Sequence, residues 1–198
     1  MSLRTLVRGL AFIGAAALLA TLVPVSSGAQ DDAQKGEGME GMPAPPKPGP
    51  EHACFLKAAG TWKATLKMWM APGTDPMMME GQEVAQTICG GMGVTTSFTG
   101  SSPMGDMTGH GTESYDVYQK KYIGYWVDNW GAVSLYEGTA DDKGVITYTA
   151  NGPDPMTGAM STSMMRHEWL DANTRRFTMW HGTDTSAPPS MEITYVRS

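Results

Sequence analysis

Two histidines and two methionines near the end of the chain have the types and spacing that best suit ligand binding. They lie between Ser161 and His181, where apolar and polar residues alternate on both sides of residues 171–175, as in a β-hairpin. If those five residues form the loop, the large apolar side chains share one face, and burial of that face selects the register. The predicted cross-strand pairs are Trp169 with Phe177, His167 with Met179, and Met165 with His181.

His167 and His181 are then diagonal neighbours that point inward, about 7 to 8 Å apart. Neutral imidazoles in an apolar cavity could orient a carboxylate or hydroxyl of a ligand, or bind a soft metal together with thioethers. Alternatively, both are core histidines that hydrogen-bond to neighbouring hydroxyls such as those of Thr178 or Tyr195. The sequence leaves both interpretations open.

Methionine is unusually frequent, with 17 residues. Thioether clusters in exported proteins suit Cu(I), because soft sulfur ligands match that ion. Methionine also fills irregular barrel interiors and adaptable pockets, which needs no metal. The clusters along the chain are Met77-Met78-Met79, Met104 with Met107, and Met156, Met160, Met164 and Met165.

Three consecutive strands are predicted between Met107 and Thr139, which form a β-meander of aromatic, β-branched and small residues. A four-residue turn at 117–120 sets Tyr115 opposite Tyr122 and Gly111 opposite Trp126 and places Glu113 on the same face. Glu113 and Asp128 could act as general acid or base, or simply bind a tyrosine hydroxyl. The chain contains no nucleophile elbow, phosphate loop or HExxH motif. A binding protein is therefore favoured over an enzyme, with no assigned catalytic residue, metal ligand or cofactor.

The two cysteines, Cys54 and Cys89, do not have CxxC spacing. If the strand from Trp62 pairs with the strand that ends at Cys89, the two cysteines lie near one another. In an oxidising compartment this favours a structural disulfide. Two free thiols are the alternative.

The elements that position these residues are predicted to be short antiparallel strands. With 24 Gly and 13 Pro, the composition favours many turns, and no segment has the pattern of a long helix. About ten strands follow a short helix after Pro50. The sequence thus predicts an all-β, antiparallel up-and-down barrel.

Residues 1–29 have the pattern of a signal peptide: Arg4 and Arg8, an apolar run, and a small-residue end at Ala29. Residues 30–50 are rich in Pro and Gly, which is typical of a disordered linker, and residues 51–198 form the predicted domain. The mature protein is expected to be periplasmic or secreted. Its net charge, −6 for the whole chain, disfavours nucleic acid as a partner and, after signal cleavage, an anionic membrane.

Several short motifs occur in a characteristic order after the linker. They are Gly60-Thr61-Trp62, Tyr115-Asp116, Lys120-Lys121-Tyr122-Ile123-Gly124, Trp126-Val127-Asp128, Tyr136-Glu137-Gly138-Thr139, Asp154-Pro155-Met156-Thr157-Gly158 and Met191-Glu192-Ile193-Thr194-Tyr195. In these motifs the chain resembles the bacterial domain of unknown function 1579 family. The resemblance implies a lipocalin-like, calycin-type barrel and brings no established activity or catalytic residues.

Together these observations predict an exported barrel that binds a small apolar or amphipathic ligand in its interior. The candidate ligand-binding residues are His167, His181, Met165, Met179, Trp169, Phe177, Tyr115, Tyr122, Trp126 and Glu113. A soft-metal (copper) binding protein and a small barrel enzyme are the alternatives. The oligomeric state is not predicted.

Overall fold

The computed structural model describes residues 44–154 and 158–198, which form a closed antiparallel barrel. A 3-10 turn at Pro50–His52 leads into helix α1 (Ala53–Ala58), and a second 3-10 turn at Cys89–Gly91 joins β2 to β3. Each strand pairs with the next along the chain, and β1 pairs with β10. The strands are β1 (Gly60–Met68), β2 (Met77–Ile88), β3 (Gly93–Ser102), β4 (Gly105–Asp116), β5 (Lys121–Asp128), β6 (Val133–Ala140), β7 (Ile146–Pro153), β8 (Met160–Trp169), β9 (Thr174–His181) and β10 (Met191–Arg197). The predicted all-β, up-and-down barrel of about ten strands with a short N-terminal helix is confirmed.

Two of the predicted regions fall largely beyond this part of the chain. The predicted signal peptide, residues 1–29, and residues 30–43 of the predicted linker lie outside the described residues, as do residues 155–157. Residues 44–49 have no regular secondary structure. Across 44–154 and 158–198, no helix is long and apolar enough to cross a membrane.

Helix α1 packs against one end of the barrel, which we call the helix end. Phe55 is buried among Ala85, Val94, Tyr122 and Ile146, which lie where their strands reach that end. The Trp62 indole donates a hydrogen bond to the Ala58 carbonyl over 2.8 Å. These contacts fix the helix by burial of one large ring and by hydrogen bonds to carbonyls that the helix itself leaves unpaired.

The β4–β5 hairpin has the predicted register. Tyr115 pairs with Tyr122 and Gly111 pairs with Trp126. The Asp116 carboxylate accepts hydrogen bonds from the backbone N–H groups of Tyr118 and Gln119, which holds the four-residue turn in shape.

The predicted register of the β8–β9 hairpin is wrong by two residues. Met165 pairs with Met179, His167 with Phe177 and Trp169 with Arg175. The loop is residues 170–173 because the Asp171 carboxylate accepts the Asn173 N–H over 2.7 Å and closes a tighter turn than predicted. A shift of two keeps every side chain on its predicted face, but His181 now lies beyond the last β8–β9 pair and is exposed.

The predicted disulfide is absent, since Cys54 and Cys89 are both free. Cys89 is exposed in the turn after β2, whereas the Cys54 thiol donates a hydrogen bond to the Glu51 carbonyl and packs beside the core around Phe55. Burial, with a contribution from the nearby Glu113 charge, raises the pKa of the Cys54 thiol to about 12.

Candidate ligand site in the barrel interior

Large aromatic rings inside the barrel lie over inward-facing glycines. A Cβ atom on Gly81 would come within 2.6 Å of the Phe98 ring, and one on Gly124 within 2.5 Å of the Tyr136 ring. Trp126 covers Gly109 even more closely. Because glycine has no Cβ atom, the ring can lie directly against the glycine backbone. Each ring therefore lies along the barrel wall instead of projecting towards the barrel axis.

Inside the barrel, polar side chains from several strands form one group, which we call the polar cluster. Three are charged at neutral pH in ordinary surroundings, one is a histidine, and three are tyrosines. The members are Glu83, Glu113, Arg175, His167, Tyr136, Tyr148 and Tyr195. Their mutual contacts and electrostatic interactions involve seven strands of the barrel.

The polar cluster contains a buried ion pair of Arg175 with Glu83. Arg175 is 8% exposed and Glu83 4%, and the guanidinium donates to the carboxylate. The same guanidinium lies 4.1 Å from the centroid of the Tyr195 ring and 4.8 Å from that of Trp62. The pairing offsets the cost of burying both charges. The Nε atom of Arg175 is buried and has no hydrogen-bond partner among the described residues.

Glu113 is the titratable group of the polar cluster with a pKa near neutrality. The Tyr148 hydroxyl donates to its Oε1 over 2.5 Å. Burial raises the pKa of Glu113 to about 7, although the Tyr148 hydrogen bond and the positive charge of Arg175 act in the opposite direction. Around pH 7 this carboxyl group therefore populates both its proton-donating and its proton-accepting form.

His167 packs edge-on between two rings, with centroids 5.5 Å from Tyr148 and 5.0 Å from Phe177. Burial, followed by the Arg175 charge, lowers the pKa of His167 to about 3, so its imidazole is neutral at physiological pH. Its predicted neighbour His181 is exposed at the end of β9. The structure therefore does not bring the two histidines together, and the polar companions of His167 are Tyr148 and Arg175.

Four of the other candidate residues belong to the packing near the helix end. Tyr122 donates to the Glu51 carbonyl, and Tyr115 packs against both Tyr122 and the His52 ring. Lys57 lies 3.7 Å from the centroid of the Trp169 ring and covers it. Met165 is buried in the same core as Phe55. These positions close one end of the interior.

The remaining candidates face the interior and keep part of their surface accessible. They are Phe177, Met179 and Trp126. The Trp126 indole donates to the Asp128 carboxylate over 3.0 Å, and that carboxylate also accepts the backbone N–H groups of Trp130 and Ala132. Asp128 thus stabilises the β5–β6 turn.

Five members of the polar cluster are not predicted from the sequence pattern, namely Glu83, Arg175, Tyr136, Tyr148 and Tyr195. Glu83 lies an even number of residues from Met79 and Ala85 on β2, and both of these are buried. The alternation of side chains along a strand therefore indicates that Glu83 also faces inward. Arg175 was assigned to the β8–β9 loop because of the register error. Within 44–154 and 158–198, no group of three or more His, Cys, Asp and Glu side chains could hold a metal ion.

Comparison with known proteins gives a family and a fold. The family model described as "Protein of unknown function (DUF1579)" matches residues 47–197. The curated proteins contain no match. Among the matching solved structures is the S-type phycobiliprotein lyase CPES from Guillardia theta, which is 12% identical. The match covers 74% of this chain and 91% of the lyase chain, with a TM-score of 0.51, so the two share a lipocalin-like barrel.

Proposed function

This chain belongs to the DUF1579 family of proteins of unknown function, and we propose that it binds a small amphipathic ligand inside its barrel. The observation that carries the proposal is the incomplete burial of inward-facing apolar side chains in a closed barrel. Met68, Met107, Trp126, Met179 and Met191 all face inward, and each keeps part of its surface accessible. These residues lie towards the end of the barrel opposite α1, so their accessible surface supports a ligand cavity that opens at that end.

The polar cluster gives this cavity a polar end. Glu113 can donate or accept a hydrogen bond near pH 7, and His167 offers a neutral imidazole. Arg175 has an Nε–H that no described residue pairs with. These groups suit a ligand end that carries a hydroxyl or carboxyl oxygen. The apolar remainder of the ligand would lie along the methionines and the Trp126 ring, which form an adaptable surface. His181 has no part in this arrangement.

A fluorescent amphipathic probe, 1-anilinonaphthalene-8-sulfonate, tests the proposal with two matched variants. Ala150 faces inward, partly buried, beside the core around Tyr148, and its neighbour Thr149 faces outward. Ala150→Phe fills the interior and should weaken probe binding at least about tenfold, which corresponds to the loss of roughly 1.4 kcal/mol. Thr149→Phe adds the same ring outside and should leave the affinity unchanged.

Both variants must first show the cooperative thermal unfolding of the wild type, because the probe also binds partly unfolded chains. Equal probe affinity in the wild type and Ala150→Phe would contradict an interior site. Native mass spectrometry of the exported protein then identifies a retained ligand by its added mass.

Export is part of the same proposal and is supported by the signal-peptide pattern of residues 1–29. The expected mature protein begins near Gln30 and is periplasmic or secreted. Intact mass measurement of protein recovered from the periplasm checks this, because retention of residues 1–29 in that protein would rule out cleavage.

An enzyme is the second candidate, supported by the pKa of Glu113. A carboxyl group with a pKa of about 7 suits general acid–base catalysis at neutral pH, and the similar barrel from Guillardia theta is named a lyase. If a ligand is recovered, incubation with wild-type protein and with Glu113→Gln separates the two functions. A binding protein leaves the ligand mass unchanged in both, whereas an enzyme changes it in the wild type alone.

A further inference from the structure

Methionines occupy directly paired positions on five neighbouring strands of the barrel. Each is the cross-strand partner of the next, and all five have the inward parity of their strands. We call them the methionine row: Met77 on β2, Met68 on β1, Met191 on β10, Met179 on β9 and Met165 on β8.

The methionine row reaches the end of the barrel opposite α1. Met68 is the last residue of β1, Met77 the first of β2 and Met191 the first of β10. Met165 is buried, but the other four keep part of their surface accessible. A solute that enters at this end therefore meets thioethers before it reaches the polar cluster.

Thioethers on neighbouring strands are close enough to share one ligand. Directly paired residues on antiparallel strands have Cβ atoms about 4.5 to 5.5 Å apart. Inside a barrel the wall is concave, so the ends of inward side chains converge further. Methionine has three flexible torsions and a polarizable sulfur, which lets three adjacent sulfur atoms turn towards a common point.

We propose that the methionine row binds one Cu(I) ion through the sulfur atoms of Met68, Met191 and Met179. Soft thioethers select Cu(I) over harder divalent ions. Thioethers are neutral and need not lose a proton, so binding should release no protons, unlike binding by thiols or imidazolium groups. The site is separate from the exposed methionines of the outer surface, such as Met78 and Met160.

Anaerobic titration of the full chain with Cu(I), in competition with the chromogenic chelator bicinchoninate, tests this site. Cysteine thiolates also bind Cu(I), so every variant carries Cys54→Ser and Cys89→Ser. We expect one Cu(I) per chain and an X-ray absorption spectrum with sulfur as the only nearest neighbour. Calorimetry in two buffers of different ionisation enthalpy should show no proton release.

Two sets of methionine-to-leucine substitutions, which nearly conserve side-chain volume, locate the ion. The triple variant Met68→Leu, Met179→Leu and Met191→Leu should bind Cu(I) at least tenfold more weakly. The matched control replaces three outward methionines, Met78, Met160 and Met164, and should bind like the parent. If the inner triple variant fails to fold, Met191→Leu alone should still lower the affinity severalfold.

The proposal is overturned if the parent takes up no Cu(I), if the inner variants bind as tightly as the parent, or if the outer control loses the ion. The inner triple variant must keep the cooperative thermal unfolding of the parent, which shows that loss of copper is not loss of the fold.

Discussion

At the scale of single residues, two buried groups of the polar cluster oppose each other in their effect on stability. The pKa of Glu113 in the folded chain is about 7, above the usual 4.5, so the folded state keeps a proton that the unfolded chain loses between these values. The free energy of unfolding therefore falls as pH rises from about 4.5 to 7. The pKa of His167 is about 3, below the usual 6.5, so between these values the unfolded chain binds a proton that the folded chain does not. The free energy of unfolding therefore falls as pH decreases from 6.5 towards 3. Between pH 4.5 and 6.5 the two effects largely cancel.

Glu113→Gln should expose this cancellation. The amide oxygen still accepts the Tyr148 hydrogen bond, but the side chain cannot ionise. The difference in the free energy of unfolding between the variant and the wild type should therefore grow, in favour of the variant, by up to about 3 kcal/mol as pH rises from 4 to 8. Urea unfolding at several pH values measures the difference.

A matched control for that experiment is Glu137→Gln. Glu137 lies on the outer surface and pairs with Lys121 over 2.7 Å. Its substitution should leave the pH dependence close to that of the wild type, since exposed pairs contribute little. A Glu113→Gln variant whose advantage does not change with pH would show that Glu113 ionises normally in the folded chain.

At the scale of strands, glycines and rings act as pairs that shape the interior. Trp126 lies against Gly109, and its indole N–H is held by Asp128. A single methyl group at position 109 would overlap the six-membered part of the indole ring. The ring would then have to move towards the barrel axis and give up the hydrogen bond.

Gly109→Ala should therefore destabilise the barrel by about 1 to 3 kcal/mol, the usual cost of overpacking. Gly152→Ala is the matched control, because nothing lies within 4 Å of the added Cβ atom on that β-strand. It should be neutral or slightly stabilising. Urea unfolding followed by tryptophan fluorescence compares the two, and equal stability would contradict the role given to the Gly109–Trp126 contact.

Strand registers were predictable where the turn length was apparent from the sequence. The β4–β5 pairing followed from a polar four-residue turn between two aromatic strands, and the structure has that register. The β8–β9 pairing failed because alternation alone does not distinguish registers two residues apart. The turn around Asp171 decided between them through a local hydrogen bond that the apolar pattern does not encode.

The polar cluster was harder to predict because charged residues in strands are normally exposed. Glu83 and Arg175 are buried only because they meet each other, and they come from β2 and β9, far apart in sequence. Glu113 was found because the predicted β4–β5 register put it on the face of Tyr115 and Tyr122. Side chains whose orientation follows from local pairing were thus accessible to sequence reasoning, whereas those that depend on distant partners were not.

At the scale of the whole molecule, the barrel depends on the pairing of its first and last strands. Strand β10 supplies Ile193 and Tyr195 to the core, and Arg197 donates hydrogen bonds to the Lys57 and Ala59 carbonyls next to α1. Without β10, strands β1 and β9 would both become open edges beside an uncovered apolar core.

Two truncations test how the barrel is held together. The strands of the described residues lie within 60–197, so a chain of residues 44–198 should unfold cooperatively within about 2 °C of the full chain. A chain of residues 44–190 lacks β10 and should show no cooperative thermal transition, because closure and part of the core are lost together. Circular dichroism on heating measures both. A cooperative transition in the shorter chain at the midpoint of the full chain would contradict this prediction, because β1 and β9 would then not need β10. The closed wall on which the proposed cavity depends would contribute nothing measurable to stability.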